Sequence, residues 1–256
     1  MYRFDGTILI TGASAGIGAA CARAFAAAGA RLVLAARRSD RLESLAAELR
    51  DAHGTESHLL TLDVRDAGVV TRVLAELPPE WSEIDLLLNN AGLSRGLDPV
   101  QQGEIVDWEE MIDTNVKGLL YVTRAIAPGM VERGRGHIVN IGSTAGHEVY
   151  PGGAVYCATK HAEGAITRGL RLDLVGTGVR VTTVDPGLVE TEFSVVRFRG
   201  DRERADRVYQ GFQPLEPDDV ADAVLYAATR PAHVDIDEII IKPTAQANST
   251  TVARER

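Results

Sequence analysis

Cysteine is almost absent from this chain: Cys21 and Cys157 are the only two in 256 residues. Two thiols cannot staple a chain of that length, and no metal-ligand spacing accompanies them, so no metal is expected. A reduced, cytoplasmic protein is the expectation. No apolar run approaches the ~18 residues of a membrane span. No basic segment followed by an apolar core reads as a secretory signal. Positive charge is in deficit, with 27 Lys and Arg against 36 Asp and Glu and a formal net charge of −9. That excludes the broad basic surface a nucleic acid requires, but leaves room for a small anion held by local arginines. No repeat, low-complexity tract or Pro/Gly/Ser linker divides the chain, so one domain over 1–256 is expected.

What is present is an alternation. Short β-rich runs stand at 7–11, 31–36, 57–64, 84–90, 136–143, 179–186 and 237–243. Helical patterns separate them at 16–28, 39–52, 66–77, 104–132, 154–175 and 218–229. Near-continuous apolar strands between helices predict an α/β fold, a doubly wound Rossmann-type parallel sheet of about seven strands with helices on both faces. Gly29 is placed to end the first helix, and Ser39 to cap the second. The stretch 187–216 breaks the alternation. Irregular segments of that length are usually functional lids or disordered loops.

The turn "TGASAGIG", residues 11–18, follows the first strand directly and carries Gly12, Gly16 and Gly18. Its glycines fit either tight strand–helix packing or the close approach of a ligand. After the first strand of a βαβ unit, a dinucleotide pyrophosphate at the helix N-terminus is the stronger reading. The second strand ends "LAARRSD", with Arg37 and Arg38 and no acid at the turn. An acid there would accept the ribose hydroxyls of NAD, whereas guanidinium groups pair with a 2′-phosphate. NADP (NADPH) is therefore the expected coenzyme.

A second constellation lies in "YCATK", where Tyr156 and Lys160 sit four apart at the start of a helix and share a face. An unperturbed phenol, with a pKa of about 10, is no base at neutral pH. Bringing it to about 7 takes roughly 4 kcal/mol, which an ammonium in a half-buried cleft supplies. Ser143 ends the run "GHIVNIGS", at the carboxyl edge where open α/β sheets bind ligands.

With these residues in view, the chain resembles a short-chain dehydrogenase/reductase over essentially its whole length. The matching motifs are "TGASAGIG", "LDV" at 62–64, "NNAG" at 89–92, Asn115 in "DTNVKG", Ser143, "YCATK" and "DPG" at 185–187. Within that family it is similar to the 3-hydroxy acid (serine/allo-threonine) dehydrogenases that use NADP, through "LPPEW", the stretch 107–146, "PGLVETEFSVVRFRGD" and "RPAHV". The resemblance implies Tyr156 as acid/base and Lys160 as the group that lowers its pKa and holds the nicotinamide ribose. Ser143 would bind the substrate oxygen, and Asn115 would anchor a water chain to Lys160. The coenzyme would meet Gly12, Ser14, Ala15, Gly16, Ile17, Gly18, Arg37, Arg38, Asp63, Val64, Asn90, Ala91, Gly92, Tyr156, Lys160, Pro186, Gly187, Val189 and Thr191. Asp63 would meet the adenine. The resemblance also makes 187–216 a substrate lid, in which Arg197 or its neighbour Arg199 would hold a substrate carboxylate, facing a wall of Tyr150, Gly152 and Gly153. A homotetramer built on the paired long helices is implied, with no nucleic-acid or membrane partner. Other readings are a reductase of another ketone or aldehyde, and a non-catalytic cofactor sensor; the complete set of Asn115, Ser143, Tyr156 and Lys160 argues against the sensor. Three departures stand out. Ala154 replaces a common Asn, His161 follows Lys160 where a smaller residue is usual, and the tail "NSTTVARER" lacks the subgroup's aromatic end.

Overall fold

The computed structural model describes residues 2–255. Its strands are β1 (Thr7–Thr11), β2 (Arg31–Ala36), β3 (Ser57–Thr61), β4 (Leu86–Asn89), β5 (Gly136–Ile141), β6 (Val179–Pro186) and β7 (Glu238–Ile241). They form one sheet in the order β3-β2-β1-β4-β5-β6-β7, with every pairing parallel. The helices are α1 (Gly16–Ala27), α2 (Ser39–His53), α3 (Ala67–Ala75), α4 (Pro79–Ser82), α5 (Ile105–Ile112), α6 (Leu119–Arg133), α7 (Ala154–Leu174), α8 (Glu192–Arg197), α9 (Arg202–Arg207) and α10 (Pro217–Ala228). The strand order turns outward from β1 in one direction and β4 in the other. A crevice opens at such a switch point, beyond the carboxyl ends of the strands.

The strands are apolar throughout because each face has its own core. Ile8, Ile10, Leu32, Leu34, Leu86 and Leu88 pack with Phe25, Leu42, Leu45 and Val224 of α1, α2 and α10. Leu9, Val33, Leu87 and Ile138 point the other way, onto Val70, Leu74, Val122, Ile126 and Leu174 of α3, α6 and α7. This is the period-2 alternation of a strand buried on both sides. Each such leucine contributes about 1.5–3 kcal/mol of burial.

Four of the differences from the sequence reading bear on the site. β3 stops at Thr61, because Leu62–Val64 leave the sheet to line the crevice, although the Leu62 N–H still reaches Ala36 O at 2.9 Å. Ser39 is the first residue of α2 rather than its cap; extended Arg38 precedes the helix, with no side-chain cap. The expected helix 104–132 is two helices, α5 and α6, joined by a π-helical turn over Asp113–Gly118. The segment 187–216 is not structureless. It holds α8 and α9, and a bridge between Val189 and Leu215 ties its ends together.

Candidate active site

The glycine turn does two different jobs. Gly12 and Gly16 have φ of 65° and 52°, where a side chain is strained. A Cβ on Gly12 would stand 2.9 Å from Asn90 Nδ2, and that amide donates to Thr11 O at 2.9 Å. Gly18 lies beneath the turn and not on the crevice wall: its Cβ would meet Asn90 Nδ2 at 2.5 Å and Gly12 O at 2.6 Å. Gly18→Ala should therefore lower unfolding stability by about 1–3 kcal/mol in a urea titration, the usual cost of overpacking. A midpoint equal to wild type would show that the turn has slack. Above this turn α1 begins at Gly16 with no side-chain cap from Ala15. Its first N–H groups are free for an anion, and the helix dipole favours one there.

A cavity of about 700 Å³ runs from this helix end to the segment 187–216. Gly12, Ser14, Ala15, Gly16 and Ile17 line it, and so do Arg37, Arg38, Asp63, Val64, Asn90, Ala91 and Gly92. Ser143, Tyr150, Tyr156, Lys160, Pro186, Gly187, Val189, Thr191 and Arg197 complete the expected set on its walls. Gly18, Asn115, Gly152, Gly153 and Arg199 are absent from the walls, and Gly152 faces a separate small cleft beside Asp107 and Trp108. Gly153 backs Tyr150, whose ring would lie 2.1 Å from an added Cβ. A dinucleotide fits these residues: an uncapped helix end for its pyrophosphate and arginines at one end.

Tyr156 and Lys160 emerge from the first turns of α7, both buried. Ser143 caps the short 3₁₀ turn after β5, its Oγ accepting from Ala145 N at 3.1 Å. Lys160 Nζ donates to Ile141 O at 2.8 Å and to Glu163 Oε2 at 2.7 Å. Burial alone would lower the Lys160 pKa, but the charges of Glu163 and Tyr156 outweigh it and hold the ammonium above its ordinary value. Asn115 stands behind this group on the π turn. It accepts from Leu93 N at 2.9 Å, donates to Leu93 O at 2.9 Å and donates to Thr159 Oγ1 at 3.0 Å. Cys157 is a buried filler, and His161 Nδ1 pairs with Cys157 O within the helix.

The segment 187–216 separates the two candidate arginines. Arg199, at φ 53°, pairs with Asp107, away from the cavity. Arg197 lies over the rings of Tyr156 and Phe193, with its Cζ 5.2 Å and 5.0 Å from their centroids. Its Nη2 donates to Tyr150 OH at 3.0 Å, and its Nε is buried without a hydrogen-bond partner among the described residues. Burial pushes the Tyr150 hydroxyl up to about 12, against the pull of Arg197, so it stays neutral. Among the described residues Arg197 has no carboxylate partner.

The opposite end holds a feature invisible in local sequence. Arg38 donates to Ser14 Oγ at 3.1 Å and pairs with Glu192 at 3.0 Å, and Arg41 pairs with the same carboxylate at 2.8 Å. The turn after β2 has no acid in sequence, yet α8 brings one in space. Arg41 and Arg38 hold the Glu192 carboxyl below its ordinary value. Asp63 is likewise held down by its hydrogen bonds with Arg65. Sequence reasoning also missed Gln246, Ser249 and Thr250, which the tail lays along the cavity, with Gln246 Oε1 accepting from Leu188 N at 2.9 Å. Only Glu163 carried a local signal, standing one turn beyond Lys160.

The short chain dehydrogenase pattern matches residues 6–201. An NADP-dependent 3-hydroxy acid dehydrogenase, YdfG, of Escherichia coli O6:H1 is 50% identical over 240 residues, which cover 93% of this chain and 95% of that protein. A protein named sulfoacetaldehyde reductase 2, from Chromohalobacter salexigens, is 48% identical, covering 94% of this chain and 95% of its own. The closed form of a serine dehydrogenase complexed with NADP+ superposes with a TM-score of 0.91 at 47% identity, covering 98% of this chain and 100% of the other. By sequence, sheet order and crevice alike, this chain belongs to the short chain dehydrogenase family.

Proposed function

We propose that the chain is an NADP-dependent oxidoreductase acting on the secondary alcohol, or the matching carbonyl, of a 3-hydroxy acid such as serine, allo-threonine or 3-hydroxyisobutyrate. The observation that carries the substrate class is Arg197: a half-buried guanidinium, free of carboxylate partners among the described residues, in the cavity shared with Ser143, Tyr156 and Lys160. The dehydrogenase relatives support the same reading.

Bound in the crevice, the dinucleotide supplies the hydride acceptor or donor. The protein's residues do the rest. Tyr156 takes the hydroxyl proton in oxidation and returns it in reduction. Lys160, kept cationic, favours the phenolate and reaches the ribose. Ser143 donates to the substrate oxygen as charge develops there. Asn115, outside the cavity, acts by fixing the 93–94 loop and leading water toward Lys160. Arg197 holds the carboxylate, in a partly dehydrated site where an ion pair is stronger than at the surface. The stretch 187–216 serves as the lid of a single domain spanning 1–256.

A panel of 3-hydroxy acids and uncharged alcohols, followed by NADPH absorbance, tests this reading. Turnover confined to uncharged alcohols would reject the acid as substrate. The sulfoacetaldehyde reductase relative favours a second reading, reduction of an aldehyde that bears a sulfonate. Arg197 suits that anion equally, so the panel includes it.

Coenzyme choice rests on Arg37 and Arg38. Charge-assisted bonds to a 2′-phosphate are worth about 1.5–3 kcal/mol. kcat/KM should therefore favour NADP over NAD by about tenfold or more, and Arg38→Ala should remove most of that preference. A wild-type preference for NAD would refute the assignment. The same reading includes a cytoplasmic homotetramer. Among the described residues no helix is long and apolar enough to cross a membrane. Exposed Ile105, Val106 and Ile112 on α5 and Leu120 on α6, with Leu172 and Val175 at the end of α7, are apolar surface that self-association would cover.

A further inference from the structure

Two of the three Lys160 N–H bonds are taken inside the protein, by Ile141 O at 2.8 Å and Glu163 Oε2 at 2.7 Å. One remains for the cavity. Glu163 is 3% exposed, and its other oxygen, Oε1, is buried without a hydrogen-bond partner among the described residues. Burying a half-satisfied carboxyl is costly, and a glutamine or leucine would fill the same space without the charge. The contact with Lys160 is what distinguishes the acid.

We propose that Glu163 is a positioning residue for Lys160: its carboxyl aims the ammonium and, by gaining and losing a proton, sets how strongly Lys160 favours the phenolate of Tyr156. The proposal rests on the reading of Tyr156 as the acid/base. The charged groups around the pair are few. Tyr156 and Lys160 lie on the same helix, and Asp185 faces both Lys160 and Glu163 from β6. Asp185 itself accepts from Thr183 Oγ1 at 2.5 Å and pairs with His147 at 2.5 Å, and His147 also lies 3.6 Å from Glu238 of β7. Burial pushes the Glu163 carboxyl up to about 7, against the attraction of Lys160, and Asp185 adds to the rise. Lys160 stays cationic over that range, so the carboxyl is the member that changes state near neutrality. Below about pH 7 Glu163 is neutral and the ammonium charge acts undiminished on the phenol. Above it, the carboxylate offsets that charge and the phenolate is less favoured. Oxidation should consequently climb with pH over a wider range than one ionisation spans.

Glu163→Gln keeps an oxygen for Lys160 and removes the charge. Phenolate formation, followed by ultraviolet difference absorbance in protein without coenzyme and with the Tyr156→Phe trace subtracted, should move to lower pH by about one unit. That is the scale of one nearby charge at an effective dielectric of about 20. The pH profile of oxidation should move the same way. Glu163→Leu, which also removes the hydrogen bond, should lower kcat by about fivefold or more across the profile, while Glu163→Gln restores most of it. If Glu163→Gln does not fold, Glu163→Asp takes its place, and its shorter carboxylate should give a smaller shift in the same direction. Unchanged midpoints in a folded variant, with only a lower melting temperature, would overturn the proposal. Failure of the Tyr156 reading looks different: Tyr156→Phe would itself keep its turnover.

Discussion

Tyr156→Phe should lose turnover by about 100-fold or more and still bind NADP within about twofold of wild type. Only one hydroxyl is removed, and general acid–base catalysis contributes about 10²–10⁴ to the rate. The ring is held independently of that oxygen, by Phe193 at a centroid distance of 5.6 Å and by the Arg197 guanidinium. It belongs to a small cluster with Leu93, Met111, Ala145 and Cys157, so Phe fills the same volume. Stopped-flow or steady-state NADPH absorbance reads the rate, and fluorescence titration reads coenzyme binding. A variant that kept a tenth of wild-type turnover would show that another group moves the proton.

Arg197→Ala should raise KM for serine or 3-hydroxyisobutyrate by about tenfold or more, at ~1.4 kcal/mol per decade. NADP affinity and turnover of an uncharged alcohol should stay nearly level. The reason is the state of the guanidinium before any substrate arrives. Among the described residues its side chain hydrogen-bonds to the neutral Tyr150 hydroxyl alone, and its Nε has no partner. An incoming carboxylate thus gains a partner without breaking an ion pair. The backbone at this position is held separately, with Arg197 O accepting from Gly96 N at 3.0 Å and Val196 O accepting from Arg95 Nη1 at 2.6 Å. Truncating the side chain leaves those ties in place. Equal losses on charged and uncharged substrates would instead assign Arg197 to folding of the lid. Failure of every 3-hydroxy acid to react would overturn the substrate class.

The parts legible in sequence were those with a short-range signature. The seven strands announce themselves because a sheet covered on both faces needs continuous apolar runs. The Tyr156–Lys160 spacing is a helix repeat, and the glycine turn is a matter of backbone sterics. Contacts made by chain return carried no such sign. Glu192 reaches Arg38 across 154 positions, and Gln246 reaches Leu188 across 58. The N-cap of α2 was misread because Ser39 has the right chemistry, while Arg38 is extended and turned toward Ser14 and Glu192. β3 was overrun because Leu62 and Val64 are buried, but against the crevice rather than in the ladder. A burial pattern cannot tell those two surfaces apart.

The π turn over Asp113–Gly118 has a consequence for counting along the chain. At about 100° per residue in an α-helix, the buried face of α5, Asp107 and Met111, and that of α6, Leu119, Val122, Ile126 and Met130, would fall out of phase by about one residue. A π turn absorbs one such residue. Read as an insertion, the surplus residue lets both flanking helices keep their buried faces inward while turning Asn115 to Leu93 and Thr159. Deleting one residue from this stretch would yield the straighter, better hydrogen-bonded helix and bring the two buried faces into line. What it would lose is the inward bearing of Asn115. Ordinary helix propensity and this residue's placement therefore pull in opposite directions here, and the irregular turn records which of them prevailed.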